Sequence, residues 1–507
     1  MSEEMTKNEA EFSILNLFGQ DYESDEAEAF YTDLNLLAVI DRLTGKWGRG
    51  IRRYFMYLPD DPREEEYRRA VYGDVRKEPV YRALMRYSER LAEVAELRGE
   101  RETVSNPVQK TVWKIRETSV YCDAHEELAK ELAGAELASE GMTEYRRILG
   151  EILESKEYLK LRKRTNEILE EIRRTRFVIT YERDRIRVEA REIAGDGEYD
   201  KWLSSIGADA NAKLVNPFIA DSAITELEYA CLEVLKRKRP ELFRRLNEAA
   251  KRDEEYERPV LARFAREIPF YLSYAGLQRE MEEAGYAFAT PTTDGARMEA
   301  TGLYDLALAL TAVSDGREVV SNDFRCEDGD RFFVLTGPNQ GGKTTFARSL
   351  GQLVYFTKMG LDVPAQSANV PFFPCIQTHF SVEESVETGR GKLLDELVRL
   401  APMMETNRKG SFVVINELFT TAANYDAQIM GKRVLEHFIG LGCKGIYVTH
   451  IKELSEGCEG AVSLRAMLDE RGVPTFEIRR GAAEDTPSAV NQVNKYRLSY
   501  SQLKERL

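Results

Sequence analysis

Arg331–Thr345 constrains the fold of this 507-residue chain more than any other stretch. An apolar run, Phe332 to Leu335, leads into Gly337-Pro338-Asn339-Gln340-Gly341-Gly342-Lys343-Thr344, which fits G-x-x-x-x-G-K-[ST] at every fixed position. The glycines let successive backbone N–H groups converge on a phosphate. Lys343 can reach the outer phosphates, and the Thr344 hydroxyl can ligate Mg²⁺. Phe346 to Met359 reads as a helix, whose N-terminal N–H groups and dipole favour an anion. The stretch is therefore expected to be a strand, a phosphate loop and a helix within a parallel α/β sheet.

Two later runs supply candidate partners. Ser411-Phe412-Val413-Val414-Ile415 reads as a buried parallel strand whose C-terminal end carries Asn416 and Glu417. Gly445-Ile446-Tyr447-Val448-Thr449 is a further strand, ending at His450. A carboxylate at Glu417 can orient or deprotonate the water that attacks a γ-phosphate. An imidazole at His450 can sense that phosphate by a hydrogen bond.

The first half of the chain reads as helical. Apolar positions recur at three or four residues from Phe30 to Leu43, across 64–102 with a break near Lys77-Glu78-Pro79, and across 109–140. Thr143 to Arg174 carries a narrow seam of Tyr145, Ile148, Leu149, Ile152, Leu159, Ile168, Leu169 and Ile172, which predicts one lever-like arm. Phe177–Tyr181 and Ile186–Val188 read as a small β-hairpin at its tip, and a return helix is expected from Ser222.

Charge matters here because the whole chain carries −15. Between Tyr158 and Arg187 ten Lys/Arg stand against five acids, a local +5. A solvated helix face would account for such a run, as would a contact with a phosphate backbone. The six cysteines lack metal-type spacing and read as free thiols of a reducing compartment. Residues 1–24 read as a loose acidic leader, with no signal peptide and no apolar run long enough to span a membrane, so a cytoplasmic protein is expected.

Taken together, the motifs resemble the ATPase domain of the MutS DNA mismatch-repair family. Thr336–Thr345 is similar to its phosphate loop, with Gln340 where the family has Met. Gly360-Leu361-Asp362-Val363-Pro364-Ala365 matches its G-x-x-V-P-A segment. Asn416-Glu417 with Tyr425-Asp426 matches the family's second nucleotide motif and dimer loop in spacing, and Thr449-His450 with Glu453-Leu454 matches T-H-x-x-E-L.

The resemblance implies ATP and Mg²⁺ as cofactors, with Asn322 near the adenine, Gly337 to Thr345 on the phosphates, Thr344 and Asn416 at the metal, and Glu417 and His450 in catalysis. It also implies a homodimer, because the second half of each site comes from the other subunit. The implied architecture is an α/β ABC-type P-loop ATPase domain at 286–507, preceded by a long all-α core and lever at 25–285 with a β-hairpin tip near 177–221. DNA binding by the basic tip would use Arg162, Lys163, Arg164, Arg173, Arg174, Arg176, Arg183 and Arg185.

Departures from the family pattern shape the rest. Neutral Asn416 replaces an Asp, which weakens metal binding by one charge. Gly389-Arg390-Gly391-Lys392-Leu393 stands where G-x-S-T-F is expected, so the serine that reaches the partner's nucleotide is replaced by Gly391. Phe419-Thr420-Thr421-Ala422 replaces G-R-G-T, and no Phe-x-Glu triplet is present to read a mispair. The expected function is thus ATP-driven lever movement on DNA in repair or recombination, without mismatch reading. Alternatives are a ribosome- or RNA-associated ATPase and an ATP-gated scaffold with little hydrolysis. An ABC transporter ATPase is disfavoured, since no L-S-G-G-Q segment occurs.

Overall fold

A computed structural model describes residues 12–18, 29–104, 107–182, 185–192, 233–234, 236–252, 257–295, 297–381, 392–405 and 408–481. The chain divides into two compact units: Met1–Ser13 with Asp74–Ile268, and Ile14–Gly73 with Pro269–Leu507.

The first unit is helical. Its longest helices, Glu78–Thr103 and Pro107–Ala133, pair side by side. Tyr87, Tyr121 and His125 of these helices join a buried aromatic cluster with Phe264, on which Tyr145 stacks at 3.4 Å between ring centroids. His125 Nδ1 donates to the Tyr121 carbonyl at 2.7 Å, leaving Nε2 to accept from the Tyr87 hydroxyl at 3.1 Å. Burial pushes this histidine down to about 4, so it is a neutral core residue. Glu117, fully buried, is held by Arg98 at 3.0 Å and Arg101 at 3.1 Å. A lone buried carboxylate would be costly, and these two guanidinium groups are what make it tolerable.

The expected single arm over Thr143–Arg174 is two helices, Glu140–Glu154 and Lys156–Arg174. Ser155 separates them with an extended backbone, φ −64° and ψ 146°, and its hydroxyl accepts the Tyr158 N–H at 3.2 Å. Serine favours this cap because its short side chain bonds the first free N–H groups of the next helix. The break also rotates the seam: Tyr145, Ile148, Leu149 and Ile152 are buried, Leu159 is exposed while Tyr158 and Leu161 beside it are buried with Cys122, and burial continues at Ile168 and Ile172 against Leu242, Phe243 and Leu246.

The hairpin forms with β1 (Thr175–Glu182) antiparallel to β2 (Arg185–Glu192), Glu182 facing Arg185. Its strands are longer than the alternation suggested. The rest of the expected tip up to 221, and the return helix from Ser222, lie outside the described residues up to residue 232. The helix Pro240–Arg252 starts on its proline, a position where the missing N–H costs nothing.

The second unit is α/β. It contains β3 (Glu299–Leu303), β4 (Asn322–Arg325), β5 (Phe332–Thr336), β6 (Ser367–Asn369), β7 (Ile376–Phe380), β8 (Phe412–Asn416), β9 (Lys444–Val448), β10 (Ala461–Leu468) and β11 (Pro474–Arg480). Six of these form one sheet in the order β11-β10-β5-β9-β8-β7, parallel from β10 to β7 and antiparallel at β11. Every residue of β5 and β8 is buried, which is why both read as unbroken apolar runs rather than alternating ones. A smaller sheet, β4-β3-β6, is antiparallel.

The helix Lys343–Lys358 that follows the phosphate loop is buried on nearly all sides. On one side, Gly351 receives Leu34: a Cβ there would lie 2.5 Å from Leu34 Cδ2. Gln352 Nε2 donates to Leu34 O at 2.9 Å, and the Tyr355 hydroxyl to Phe55 O at 2.7 Å. Ile14 and Leu15, expected in a loose leader, are fully buried in this unit. The Tyr271 hydroxyl bonds Ile14 O at 2.8 Å and Arg68 Nε bonds Leu15 O at 2.6 Å, so apolar side chains and satisfied carbonyls anchor this short piece. Among the described residues no helix is long and apolar enough to cross a membrane.

Candidate active site

Strand order brings the motifs together. Leu335 of β5 pairs with Val448 of β9, and Val448 also pairs with Asn416 of β8. The C-terminal ends of three adjacent parallel strands therefore deliver Gly337, Thr449-His450 and Asn416-Glu417 to one edge of the sheet, where ligands bind in open α/β sheets.

The loop itself fits a phosphate. Gly337, Gln340 and Gly342 have φ of 136°, 63° and 84°, and a Cβ on Gly337 would meet Ala466 Cβ at 2.9 Å. Only glycine can hold the first position this close to β10, and the curved backbone makes the concavity of N–H groups that binds anions. Lys343 Nζ donates to the Gly337 and Pro338 carbonyls at 3.0 and 2.8 Å. Burial lowers its pKa, while the Glu417 carboxylate acts the other way. The ammonium is thus held at the loop and only partly solvated, ready to exchange carbonyl partners for phosphate oxygens.

Thr344 Oγ1 donates to Asn416 Oδ1 at 3.1 Å. Two neutral oxygens therefore stand where the sequence placed a metal, which fits a hard divalent cation carrying several waters of its own. Among the described residues no group of three or more His, Cys, Asp or Glu side chains could hold a metal by itself. Glu417 sits immediately beyond β8 in a left-handed conformation, φ 57°, its N–H bonded to Val448 O at 2.9 Å. His450 Nε2 lies 3.0 Å from Glu417 Oε1, and both side chains are partly exposed. The pair anticipated from two distant strand ends is in direct contact.

A cleft of about 650 Å³ opens beside the loop, lined among others by Asn322, Asn339, Lys343, Thr344, Thr345 and Glu417. Asn322 uses its amide within the protein: Nδ2 donates to Phe476 O at 3.1 Å, and Oδ1 accepts Ile478 N–H at 2.7 Å. It holds β11 against the cleft. Phe476, which sequence reasoning missed, has φ 62°, exposes about half its surface and sits 3.4 Å from where a Gly342 Cβ would be. No local pattern marks it, because only the pairing of β11 beside β10 brings it to the loop.

The segment Gly389-Arg390-Gly391 lies outside the described residues. Phe419, at the start of the divergent Phe-Thr-Thr-Ala loop, is buried, and its N–H donates to Glu396 at 2.9 Å. Of the basic tip residues, Arg162 is engaged within the helical unit by Asp123 and by Glu126 at 2.9 Å, and is mostly covered. Lys160 and Lys163 are exposed and Arg164 partly so. Acids of the same helix are occupied too, Glu171 by Arg245 at 3.0 Å. Arg183 and the side chains of Arg173, Arg174, Arg176 and Arg185 lie outside the described residues.

Residues 333–469 match the family model of MutS domain V. Over 144 residues the chain is 33% identical to "DNA mismatch repair protein MutS" of Fervidobacterium nodosum, covering 28% of this chain and 18% of that protein. Against the protein of the same name from Thermotoga neapolitana it is 29% identical over 228 residues, 45% of this chain and 27% of the relative. "DNA mismatch repair protein MSH6" of Arabidopsis thaliana is 30% identical over 206 residues, 40% of this chain and 16% of the relative. The matched stretches thus span roughly a quarter or less of each relative. Through this region, which holds the phosphate loop, Asn416, Glu417 and His450, the chain is similar to domain V of the MutS family.

Proposed function

We propose that this chain is a Mg²⁺-dependent ATPase of ABC type that acts as a homodimer and couples ATP hydrolysis to movement on DNA, in repair or recombination without mismatch reading. The observation that carries this reading is that Lys343, Thr344 and Glu417 line one cleft beside a left-handed glycine loop, with Asn416 bonded to Thr344 and His450 in contact with Glu417. Loop N–H groups and Lys343 bind the phosphates. Thr344 and Asn416 hold Mg²⁺, which when bound neutralises charge on the outer phosphates. Glu417 orients the attacking water and accepts its proton, and His450 holds the carboxylate in place. Phe476 offers an aromatic face to the base, worth about 1–3 kcal/mol in stacking.

DNA is supported by the printed names of the relatives and by the exposed cations Lys160 and Lys163, and a cytoplasmic setting by the free, buried thiols of Cys122, Cys326, Cys375, Cys443 and Cys458. Asn416 favours a second reading, an ATP-gated scaffold that binds nucleotide and scarcely turns over. ATPase activity measured alone and with duplex, mismatched and branched DNA and with RNA separates the possibilities. Stimulation by a DNA form is expected. Stimulation by RNA alone would move the protein to RNA, and ATP binding without turnover would favour the scaffold.

A further inference from the structure

We infer that Glu396 is a positioning residue for hydrolysis: its buried carboxylate holds the turn that aims Glu417, an inference that rests on the ATPase reading of the same site. Two of the three residues in Glu417-Leu418-Phe419 are non-glycine residues in the left-handed region, with φ of 57° at Glu417 and 62° at Phe419. Such conformations are sparsely populated, above all for a bulky aromatic residue, and persist only where the surroundings over-determine them.

Three contacts do so here. Glu417 N–H bonds Val448 O at 2.9 Å, Ala422 N–H bonds Phe419 O at 3.0 Å, and Phe419 N–H donates to Glu396 Oε2 at 2.9 Å. The first two are backbone bonds that any sequence supplies. The third requires a side chain from another element, and Glu396 is 4% exposed, so water cannot replace it readily.

Glu396 is itself on a firm base. It sits in the second turn of the helix Lys392–Glu405, whose backbone is tied to β7 by two side chains. His379 Nε2 donates to Glu396 O at 3.2 Å, and Arg399 Nη1 donates to Phe380 O at 2.9 Å. Leu418 and Phe419 bury their side chains in the core beneath, so the one group of the turn left facing the cleft is Glu417. Loss of the Glu396 acceptor would leave a buried N–H unpaired, and the turn would relax toward ordinary backbone by rotating about residues 417–419. That displaces the carboxylate from His450 and from the water it serves, without touching the phosphate loop. Misplacement of a reacting group by about 1 Å can cost on the order of 100-fold in rate.

The test compares wild type, Glu396→Gln and Glu396→Ala for kcat and KM in ATP hydrolysis, with affinity for a fluorescent ATP analogue measured alongside. Glu396→Ala is expected to lower kcat by at least ~10-fold while KM and analogue affinity stay within about twofold. Glu396→Gln, which keeps an oxygen to accept the Phe419 N–H, is expected to restore kcat to within about threefold of wild type. Unchanged kcat in Glu396→Ala would overturn the inference. So would a parallel loss of analogue binding, which marks general damage, or a Gln variant as slow as the Ala variant. Should Glu396→Ala fail to fold, Glu396→Asp carries the test: reduced kcat with intact analogue binding supports the role, and wild-type kcat overturns it. A wild type that binds the analogue but does not hydrolyse ATP contradicts the ATPase reading instead.

Discussion

Leu34 and Gly351 offer a double-mutant cycle whose result can be worked out from their geometry. Leu34 is fully buried, and its Cδ2, Cδ1 and Cγ lie 2.5, 2.7 and 3.1 Å from the position a Cβ on Gly351 would take. Leu34→Ala opens a cavity and should cost about 2–5 kcal/mol. Gly351→Ala gains about 1 kcal/mol in helix propensity but overpacks against Leu34 by about 1–3 kcal/mol, a net loss of roughly 0–2. In the Leu34→Ala background the clash disappears. The new methyl then keeps its helix gain and fills part of the hole, worth about 0.8 kcal/mol per methyl-sized group. The double variant should therefore be more stable than Leu34→Ala alone by about 1–2 kcal/mol, a coupling of about 2–4 kcal/mol. The assay is urea unfolding followed by Trp47, which ends the helix Leu36–Trp47, with the other two tryptophans, Trp113 and Trp202, changed to Phe. Additivity to within about 0.5 kcal/mol would refute the packing of this segment on the loop helix.

Three further outcomes are expected. Phe476→Ala should weaken ATP binding by about 5- to 100-fold and leave inorganic triphosphate binding within about twofold, since only the base loses its stacking face; equal losses for both ligands would contradict this. Burial raises Glu65 from its ordinary 4.5 to about 7, so the native state keeps a proton that the unfolded chain releases. Its stabilising share is complete below pH 4.5 and is lost as pH rises through about 7; Glu65→Gln should remove a slope of up to about 1.4 kcal/mol per pH unit in that window, measured by urea unfolding across pH. Lys163→Ala should weaken DNA binding and lower its salt slope by about one unit, whereas Arg162→Ala should mainly reduce stability, because Arg162 is spent on Asp123 and Glu126.

The strand, loop and helix at 332–358 could be read directly, because a buried parallel strand is a plain apolar run and the phosphate loop has fixed glycines. Glu417 and His450 were equally legible, since each ends such a run. Other features depend on partners far along the chain. Nothing in the periodicity of 29–73 says which core it joins; Leu34 fitting onto Gly351 decides that. Ser155 breaks a seam that apolar spacing alone would continue, since serine is tolerated within helices and preferred at their caps. Phe476 and Glu396 carry no local signal at all: one acquires its place through the β10–β11 pairing, the other through a single bond to Phe419.

Single-turnover ATP hydrolysis by wild type and Glu417→Gln, with ATP binding measured on both, decides whether this cleft hydrolyses ATP. Wild type is expected to hydrolyse it, with a loss of about 10²- to 10⁴-fold in the variant and ATP affinity unchanged to within about threefold. Equal rates in the two proteins, or ATP bound by wild type with no hydrolysis, would contradict this reading of the cleft.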